Sequence, residues 1–245
     1  MKNIWIIGAT NGIGKSLAEL FASQGHNVAI SGRDKKRLDE LLSSLPNADH
    51  INAPMDVCNI GQIQKASKAI FNQWNTVDQV IFLAGIYQPM KINDLDLNLV
   101  KDIIETNLIG AINLTNIILD DLISMGNVQF SFCASVAGNV GLPFSQPYGA
   151  SKAGLINFVQ SLDIEHGREI EIRLINPGFV KTRLTDKNEF KMPMLISSKR
   201  AALLIDKGLK SKKFEIHFPK GFTIIIKLFY FFPHSIRKIF LKKII

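Results

Sequence analysis

The chain has 245 residues, of which 47% are hydrophobic and 20% charged, and its formal net charge is +8. This length suits one large domain, and the composition fits a buried globular core and excludes a disordered chain. Residues 1–208 hold 20 Lys and Arg against 20 Asp and Glu, so the whole excess charge lies in residues 209–245 and indicates a separate role for that segment.

Apolar, β-branched runs alternate with helical patterns from the start of the chain. Strands are predicted at residues 3–7, 27–31, 50–53, 79–83, 128–134 and 171–175. Helices are predicted at residues 13–23, 35–45, 60–74, 97–124 and 148–166. Strands that are apolar on both faces and alternate with helices predict an α/β fold, a doubly wound parallel sheet (Rossmann fold) with helices on both faces. Residues 1–208 form this domain, and residues 209–245 form a basic, amphipathic helical tail.

The first apolar run is too short for a signal peptide and is better interpreted as the first strand. The cysteines, Cys58 and Cys133, both have apolar sequence neighbours. We therefore expect reduced core thiols in a cytoplasmic protein, and neither a disulfide nor a metal site.

A glycine-rich turn directly follows the first strand and opens the first helix. It contains Gly8, Thr10, Asn11, Gly12, Ile13 and Gly14. Such a turn lets backbone N–H groups and the helix N-terminus approach a pyrophosphate closely, which predicts a dinucleotide site. The alternative is an ordinary tight turn, which also needs glycine.

The end of the second strand bears on which dinucleotide is bound. No Asp or Glu closes this strand, and Arg33 follows it. An acidic residue here would accept a hydrogen bond from a ribose 2′-hydroxyl, whereas an Arg accommodates a 2′-phosphate, so NADP(H) is favoured and NAD(H) stays open. The alternative is that Arg33 begins a solvated helix start, with Asp34 as its partner or as the helix cap. Asp56, after the third strand, is positioned to contact an adenine amino group.

Tyr148 and Lys152 are four residues apart in a predicted helix and so share one face. A nearby ammonium group lowers the pKa of a phenol, which otherwise is about 10, and makes it useful for acid–base work. The spacing alone is weak, because a solvated Lys beside a packed Tyr produces the same pattern. Ser135, thirteen residues before Tyr148, is the companion hydroxyl.

Together these motifs resemble the short-chain dehydrogenase/reductase family, in its compact single-domain branch, over residues 3 to about 185. The matching positions are Gly8, Gly12, Gly14, Asp56, Val57, Asn107, Ser135, Tyr148, Lys152 and the segment Asn176, Pro177, Gly178, Val180 and Thr182. One departure follows the fourth strand, where the family's Asn-Asn-Ala-Gly is replaced by Phe82, Leu83, Ala84 and Gly85. Ala84 and Gly85 keep the close approach to the cofactor, whereas the Asn that braces the adjacent turn is lost.

The resemblance implies an NAD(P)-dependent oxidoreductase with Tyr148 as the general acid or base. Ser135 would hydrogen-bond the substrate oxygen, and Lys152 would bind the nicotinamide ribose and lower the pKa of Tyr148. Asn107 would hold a water molecule that connects Lys152 to solvent. Residues 177–182 would lie beside the nicotinamide. Each of three residues also has a purely structural alternative. Ser135 could be a turn residue, Asn107 a helix residue bonded to backbone and Thr182 a helix cap.

Residues 183–200 fall where this family carries a variable substrate lid. Apolar side chains there predict an apolar wall and a hydrophobic carbonyl or alcohol substrate: Phe190, Met192, Met194, Leu195 and Ile196. Plain packing is the alternative, since Met-rich stretches are common in cores.

The tail combines an apolar run at residues 222–232 with a second helical pattern after Pro233. Ile236, Ile239, Phe240 and Ile244 share one face, from which Arg237, Lys238 and Lys242 are excluded, while Lys243 interrupts it. The run is too short to span a bilayer, and a basic amphipathic helix is typical of a membrane interface. The alternative is that residues 222–245 pack against a second subunit or cover the substrate pocket.

Nucleic-acid binding is not expected, because the basic residues of the tail alternate with large aliphatic ones. A homo-oligomer is implied by the resemblance. The competing function is a non-catalytic dinucleotide-binding redox sensor or a membrane-recruited interaction protein.

Overall fold

The computed structural model describes residues 1–46, 48–188 and 192–242. Phe190, Lys243 and Ile244 of the predicted lid and tail lie outside these residues, and the side chains of Phe240 and Lys242 lie outside the description as well.

Strands and helices alternate along most of the described chain. The strands are β1 (Asn3–Ile7), β2 (Asn27–Ser31), β3 (Ile51–Asn52), β4 (Gln79–Phe82), β5 (Gln129–Cys133), β6 (Glu171–Pro177), β7 (Val180–Lys181), β8 (Ile196–Ser197) and β9 (Glu215–Phe218). The helices are α1 (Gly12–Ser23), α2 (Lys35–Ser44), α3 (Ile60–Trp74), α4 (Leu97–Ile104), α5 (Gly110–Met125), α6 (Gln146–His166), α7 (Ser198–Leu209), α8 (Lys220–Tyr230) and α9 (His234–Lys242).

Seven strands form one parallel sheet in the order β3-β2-β1-β4-β5-β6-β9. The predicted doubly wound sheet is confirmed. The chain changes its winding direction between β1 and β4, and ligands of such sheets bind outside the carboxyl ends of the strands at this point. β7 and β8 form a separate two-stranded pair beyond that edge.

Both faces of the sheet are covered because its strands are apolar on both sides. Trp5 and Ile7 of β1 pack into one core layer with α3, α5 and α6, whereas Ile4 and Ile6 pack into the other with α1, α2 and α7. This alternation follows from the period of two in side-chain direction along a strand. The sheet therefore lies between two helical layers.

Several helices begin at residues whose side chains satisfy the first backbone N–H groups. Asp34 caps α2, Asn59 caps α3, Asp96 caps α4 and Ser197 caps α7. Such caps typically contribute about 1 kcal/mol each and fix where a helix starts. They explain the sharp boundaries between loops and helices in this part of the fold.

The helix predicted at residues 97–124 is divided. A π-helical turn, Glu105–Ile109, separates α4 from α5. Within the described residues, one segment, Leu97–Met125, is long and apolar enough to cross a membrane by length and composition. Leu114, Ile118 and Leu122 of this segment pack into the core layer beside the sheet.

Two boundaries and the placement of one cysteine differ from the prediction. The predicted tail contains β9, which pairs with β6 through Ile175 and Ile216, so the sheet continues beyond residue 208. The predicted lid ends earlier than residue 200, because α7 begins at Ser198. Cys58 is exposed and is not a core thiol, since Val57 points into the core and Cys58 lies in the loop before α3, whereas Cys133 is buried.

Candidate active site

A cavity of about 540 Å³ opens at the carboxyl end of the parallel strands. It is lined by every predicted site residue except Asn107, which is fully buried beside it: Gly8, Thr10, Asn11, Gly12, Ile13, Gly14, Arg33, Asp56, Val57, Ala84, Gly85, Ser135, Tyr148, Lys152, Pro177, Gly178, Val180 and Thr182. Residues from distant parts of the chain meet here because parallel strands end at the same edge of the sheet.

The glycine turn holds α1 tightly against the ends of β1 and β4. Gly8 has a φ of 93°, and a Cβ atom there would lie 2.7 Å from the backbone nitrogen of Ala84. A Cβ atom on Gly14 would lie 2.2 Å from the carbonyl oxygen of Gly8. No side chain larger than hydrogen fits at either position, so the backbone itself forms this wall of the cavity.

The N-terminus of α1 differs from those of α2, α3, α4 and α7. Asn11 precedes the helix, but within the described chain its side chain caps none of the N–H groups of α1. The first turn of α1, including Ile13 and Gly14, lines the cavity. Uncapped N–H groups at a helix N-terminus bind phosphate, so this part of the cavity fits the pyrophosphate of a dinucleotide.

Arg33 lies at the other side of the glycine turn and is exposed. Asp34 does not neutralise it, because its carboxylate caps α2 through the N–H of Arg37 and forms an ion pair with the Arg37 side chain at 3.1 Å. Among the described residues Arg33 has no acidic partner. Asp56 lines the same region and accepts a hydrogen bond from the backbone N–H of Cys58.

Tyr148 and Ser135 lie together in the middle of the cavity. Ser135 Oγ accepts a hydrogen bond from the N–H of Ala137 at 3.1 Å, so it also caps the short turn after β5, and it is hydrogen-bonded to Tyr148. Tyr87 packs edge-on against Tyr148, with 4.9 Å between ring centroids. The phenol is therefore fixed from two sides.

Lys152 is buried, and its ammonium group donates a 2.8 Å hydrogen bond to the carbonyl oxygen of Cys133. Its Nζ lies 5.8 Å from the centroid of the Tyr148 ring. Burial lowers the pKa of Lys152 and raises the pKa of Tyr148, and the hydrogen bond with Ser135 only partly opposes the second shift. Desolvation of the phenolate is the largest cause of the upward shift in the pKa of Tyr148, and the effect of Lys152 on this pKa stays a prediction.

Asn107 lies in the π-helical turn and is fully engaged with protein groups. Its Oδ1 accepts from the N–H of Ile86 at 2.8 Å, and its Nδ2 donates to the carbonyl of Ile86 and to Ser151 Oγ, each at 3.0 Å. This is the backbone-bonded alternative named for Asn107. The side chain clamps the loop after β4, and Gly85 lies directly against it, since a Cβ on Gly85 would be 3.2 Å from Asn107 Oδ1.

The far end of the cavity is apolar, and α8 forms its wall. Phe222 and Ile226 are buried, line the cavity and pack with Val136 and Val140. In the described part of the predicted lid, residues 183–185, 187 and 188 line the cavity. Met192 to Ile196, which were predicted to form its apolar wall, do not line it, and Met194 is about half exposed.

The residues that the sequence prediction missed are Tyr87, Phe222 and Ile226. Spacing of four residues within an apolar run was the available signal for Phe222 and Ile226. Tyr87 lies in a loop and carried no pattern. Its hydroxyl donates to Asn188 Oδ1 at 2.8 Å, and Lys187 Nζ donates to the Tyr87 carbonyl, so the lid is tied to this loop.

Chemically, the cavity offers a phosphate-binding helix end at one side, a phenol beside a hydroxyl in the middle and an apolar wall beyond them. Within the described residues, no group of three or more His, Cys, Asp or Glu side chains could hold a metal ion.

Comparison with known proteins places this geometry in a family. The short chain dehydrogenase family matches residues 2–192. The chain is 30% identical over 189 residues to dehydrogenase/reductase SDR family member 7B of Xenopus laevis, a match that covers 74% of this chain and 58% of that protein. The chain thus spans less than two thirds of the length of this relative.

Two solved structures share the fold. A short chain dehydrogenase from Burkholderia cenocepacia J2315 in complex with NADP has a TM-score of 0.85 and 19% identity, covering 97% of this chain and 96% of that one. A short chain dehydrogenase/reductase from Burkholderia phymatum in complex with NAD has a TM-score of 0.82 and 20% identity, covering 93% and 92%. The family match extends over most of the chain, and the chain belongs to the short-chain dehydrogenase/reductase family of oxidoreductases, which use a nicotinamide dinucleotide.

Proposed function

We propose that this protein catalyses the NADPH-dependent reduction of an apolar carbonyl compound, and the reverse oxidation of the alcohol. The observation that carries the proposal is the convergence of Tyr148, Ser135 and Lys152 with the uncapped end of α1 on a cavity whose far wall is apolar. A redox sensor without catalysis would not require a phenol and a hydroxyl fixed beside each other in that cavity.

The cofactor, when bound, supplies the hydride to the carbonyl carbon. Gly8, Gly12 and Gly14 provide the backbone surface for its pyrophosphate. Arg33, which is exposed and has no acidic partner among the described residues, supports a 2′-phosphate and hence NADP(H) over NAD(H). Asp56 and Val57 would hold the adenine, and residues 177–182 would hold the nicotinamide.

Tyr148 supplies the proton. Burial raises the pKa of its phenol, so Tyr148 is protonated at neutral pH and able to donate. During reduction the phenol O–H bond breaks and an alcohol O–H bond forms, and the phenolate then regains a proton from solvent. Ser135 hydrogen-bonds the substrate oxygen as negative charge develops there. Lys152 holds the ribose of the cofactor, and its cation limits the cost of the transient phenolate.

Tyr148→Phe tests this assignment. General acid–base catalysis typically contributes about 10²–10⁴-fold, so kcat with NADPH and a carbonyl substrate should fall by at least about 10²-fold. Binding of NADPH, followed by fluorescence, should stay within about twofold, because the ring and its packing on Tyr87 are kept. Activity retained within about tenfold of wild type would contradict the role of Tyr148.

The proposal also includes a cytoplasmic homo-oligomer, which the family resemblance suggests, and contact of residues 222–245 with a membrane surface. Sedimentation velocity of the purified protein tests the oligomeric state, and vesicle binding tests the membrane contact.

A further inference from the structure

α8 is a surface helix with two apolar faces. Phe222 and Ile226 point into the molecule, with 9% and 3% of their surface exposed. On the opposite side, Ile224, Ile225 and Leu228 are 46%, 52% and 55% exposed. A surface helix of a globular protein normally carries charged or polar residues on its outward face, and a helix that is apolar all round is normally covered. The outward face of α8 therefore has the composition of a covered surface.

The charged residues that follow β9 in the chain all have one sign. After Glu215 the sequence contains no Asp or Glu, whereas Lys220, Lys227, Arg237 and Lys238 follow. Lys227 lies at the flank of α8 and forms an ion pair with Glu215. Lys220 at the start of α8 and Lys238 in α9 are exposed, so basic groups border the apolar face.

The segments on either side of α8 also carry exposed apolar residues. In α9, Ile236 and Ile239 are 38% and 60% exposed. On the other side, Met194, which is half exposed, contacts the start of α8, since a Cβ on Gly221 would lie 3.2 Å from its methyl carbon. Exposed apolar residues thus occur in the lid, on the outward face of α8 and in α9.

The surface that fits this pattern is an anionic lipid bilayer. A second copy of the chain would bring two segments of +8 together, and this repulsion opposes self-association through the same face. A bilayer offers an apolar boundary for the aliphatic residues and negative headgroups for the surrounding cations, each worth roughly 1 kcal/mol near the surface. We infer that α8 and α9 dock on an anionic membrane surface, with Ile224, Ile225 and Leu228 inserted below the headgroups.

This docking defines a substrate class for the proposed reaction. Phe222 and Ile226 wall the cavity from the inner face of the same helix whose outer face contacts lipid. A helix is about 10–12 Å across with its side chains, so the bilayer and the cavity are separated by one helix. Resting on the proposed function, the inference is that the carbonyl group is carried by a lipophilic chain that partitions into the membrane.

Vesicle sedimentation tests the docking without cofactor or substrate, so its outcome is independent of whether the proposed reaction occurs. The full chain is mixed with phosphatidylcholine vesicles, with or without about one third phosphatidylserine. We expect the wild-type protein to sediment with the anionic vesicles and to be released as salt is raised, since surface charge is screened.

A matched pair of double variants assigns the surface. Ile225→Gln with Leu228→Gln removes two aliphatic groups from the outward face of α8, whereas Ile164→Gln with Leu203→Gln makes the same change at exposed positions of α6 and α7. The partition coefficient of the α8 variant between vesicles and solution should fall at least about tenfold. Burying one aliphatic side chain contributes about 1.5–3 kcal/mol, and about 1.4 kcal/mol corresponds to a tenfold change. The control variant should bind like wild type.

Three results would overturn the docking. The wild-type protein stays in the supernatant with both vesicle types, or the α8 variant sediments as well as wild type. In the third, the wild-type protein does not bind vesicles but forms a larger oligomer in solution than the α8 variant does. A second copy of the chain would then be what covers the apolar face of α8. Activity on a carbonyl of long chain length, measured separately, decides the proposed function.

Discussion

Gly14 sets two physical effects against each other. Gly in a helix is less favourable than Ala by about 1 kcal/mol, so helix propensity alone predicts that Gly14→Ala stabilises α1. The structure predicts the opposite, because the new Cβ atom would lie 2.2 Å from the carbonyl oxygen of Gly8. The Cβ atom and the carbonyl oxygen are both attached directly to backbone and cannot rotate away from each other, so α1 must move away from the end of β1. The same movement displaces the N–H groups that face the cavity.

Gly61→Ala is the matched control, since its Cβ atom would meet only Asn59 Oδ1 at 3.5 Å, an ordinary contact in the first turn of α3. Both variants gain the same helix propensity, so the difference between them isolates the steric cost. Overpacking costs about 1–3 kcal/mol, and the upper end applies against backbone. With about 2–4 °C per kcal/mol for a domain of this size, Gly14→Ala should melt roughly 6–12 °C below Gly61→Ala.

Thermal unfolding by circular dichroism measures that difference, and titration with NADPH should give a Kd for Gly14→Ala at least about tenfold weaker than wild type. A Gly14→Ala protein that melts at or above wild type and binds NADPH normally would refute the reasoning, because it would show that the close contact between α1 and β1 is not required.

Three further predictions address the cofactor, the tail and the substrate. Arg33→Asp should lower the preference for NADPH over NADH by about 10–100-fold in kcat/KM. Lys36→Asp, an equal charge change nearby, should leave this preference unchanged. Equal shifts in the two variants would contradict the assignment of Arg33 to the 2′-phosphate. Hydrogen bonds from Lys227 and Asn176 hold the pKa of Glu215 below its usual value in spite of burial, so Glu215→Gln should cost about 1 kcal/mol at pH 7. Because the pKa is depressed in the folded state, this stabilisation is fully present at pH values above the ordinary pKa of about 4.3 and is lost as Glu215 is protonated. The difference in unfolding free energy from wild type, measured in urea, should therefore vanish as the pH falls below about 4. A difference that persists in acid would contradict this role of Glu215. Phe222→Ala should raise kcat/KM for bulkier carbonyls relative to small ones, and an unchanged ranking would put the substrate elsewhere.

The sheet and most of the cavity could be predicted because both depend on local sequence. Strands buried on two faces are apolar without interruption, as at residues 3–7, and the parallel arrangement brings their ends together. The glycine turn, Ser135 and Tyr148 each follow directly from a strand or helix boundary. Their meeting in one cavity is therefore a consequence of topology, not of any single motif.

Electrostatic balance could not be predicted from spacing. Tyr148 and Lys152 are four residues apart, as the sequence shows, but whether a cation lowers the pKa of a phenol depends on how dry the site is. Burial decides the direction, because desolvation is the largest cause of the shift in the pKa of each group. These quantities arise only when helices and strands are packed.

The loop after β4, where the chain departs from the family pattern, is held by a residue far away in sequence. Phe82 packs near Phe132, with ring centroids 6.2 Å apart, and so cannot brace the turn as the family's Asn does. Asn107 instead bonds both the N–H and the carbonyl of Ile86. This clamp therefore holds the loop that carries Ala84 and Gly85 in the absence of the family's Asn.

The tail shows why a boundary in charge is not a boundary in structure. Counting charges separates residues 209–245 from the domain, yet Glu215 of β9 binds Lys227 of α8 and fixes that helix to the sheet. Gly178 seats the same helix, since a Cβ atom there would lie 2.8 Å from the Phe222 ring. Gly178, which we propose lies beside the nicotinamide, therefore also positions α8. A larger side chain at Gly178 is therefore expected to displace α8, and with it both the wall of the cavity and the apolar face on the outside of the helix.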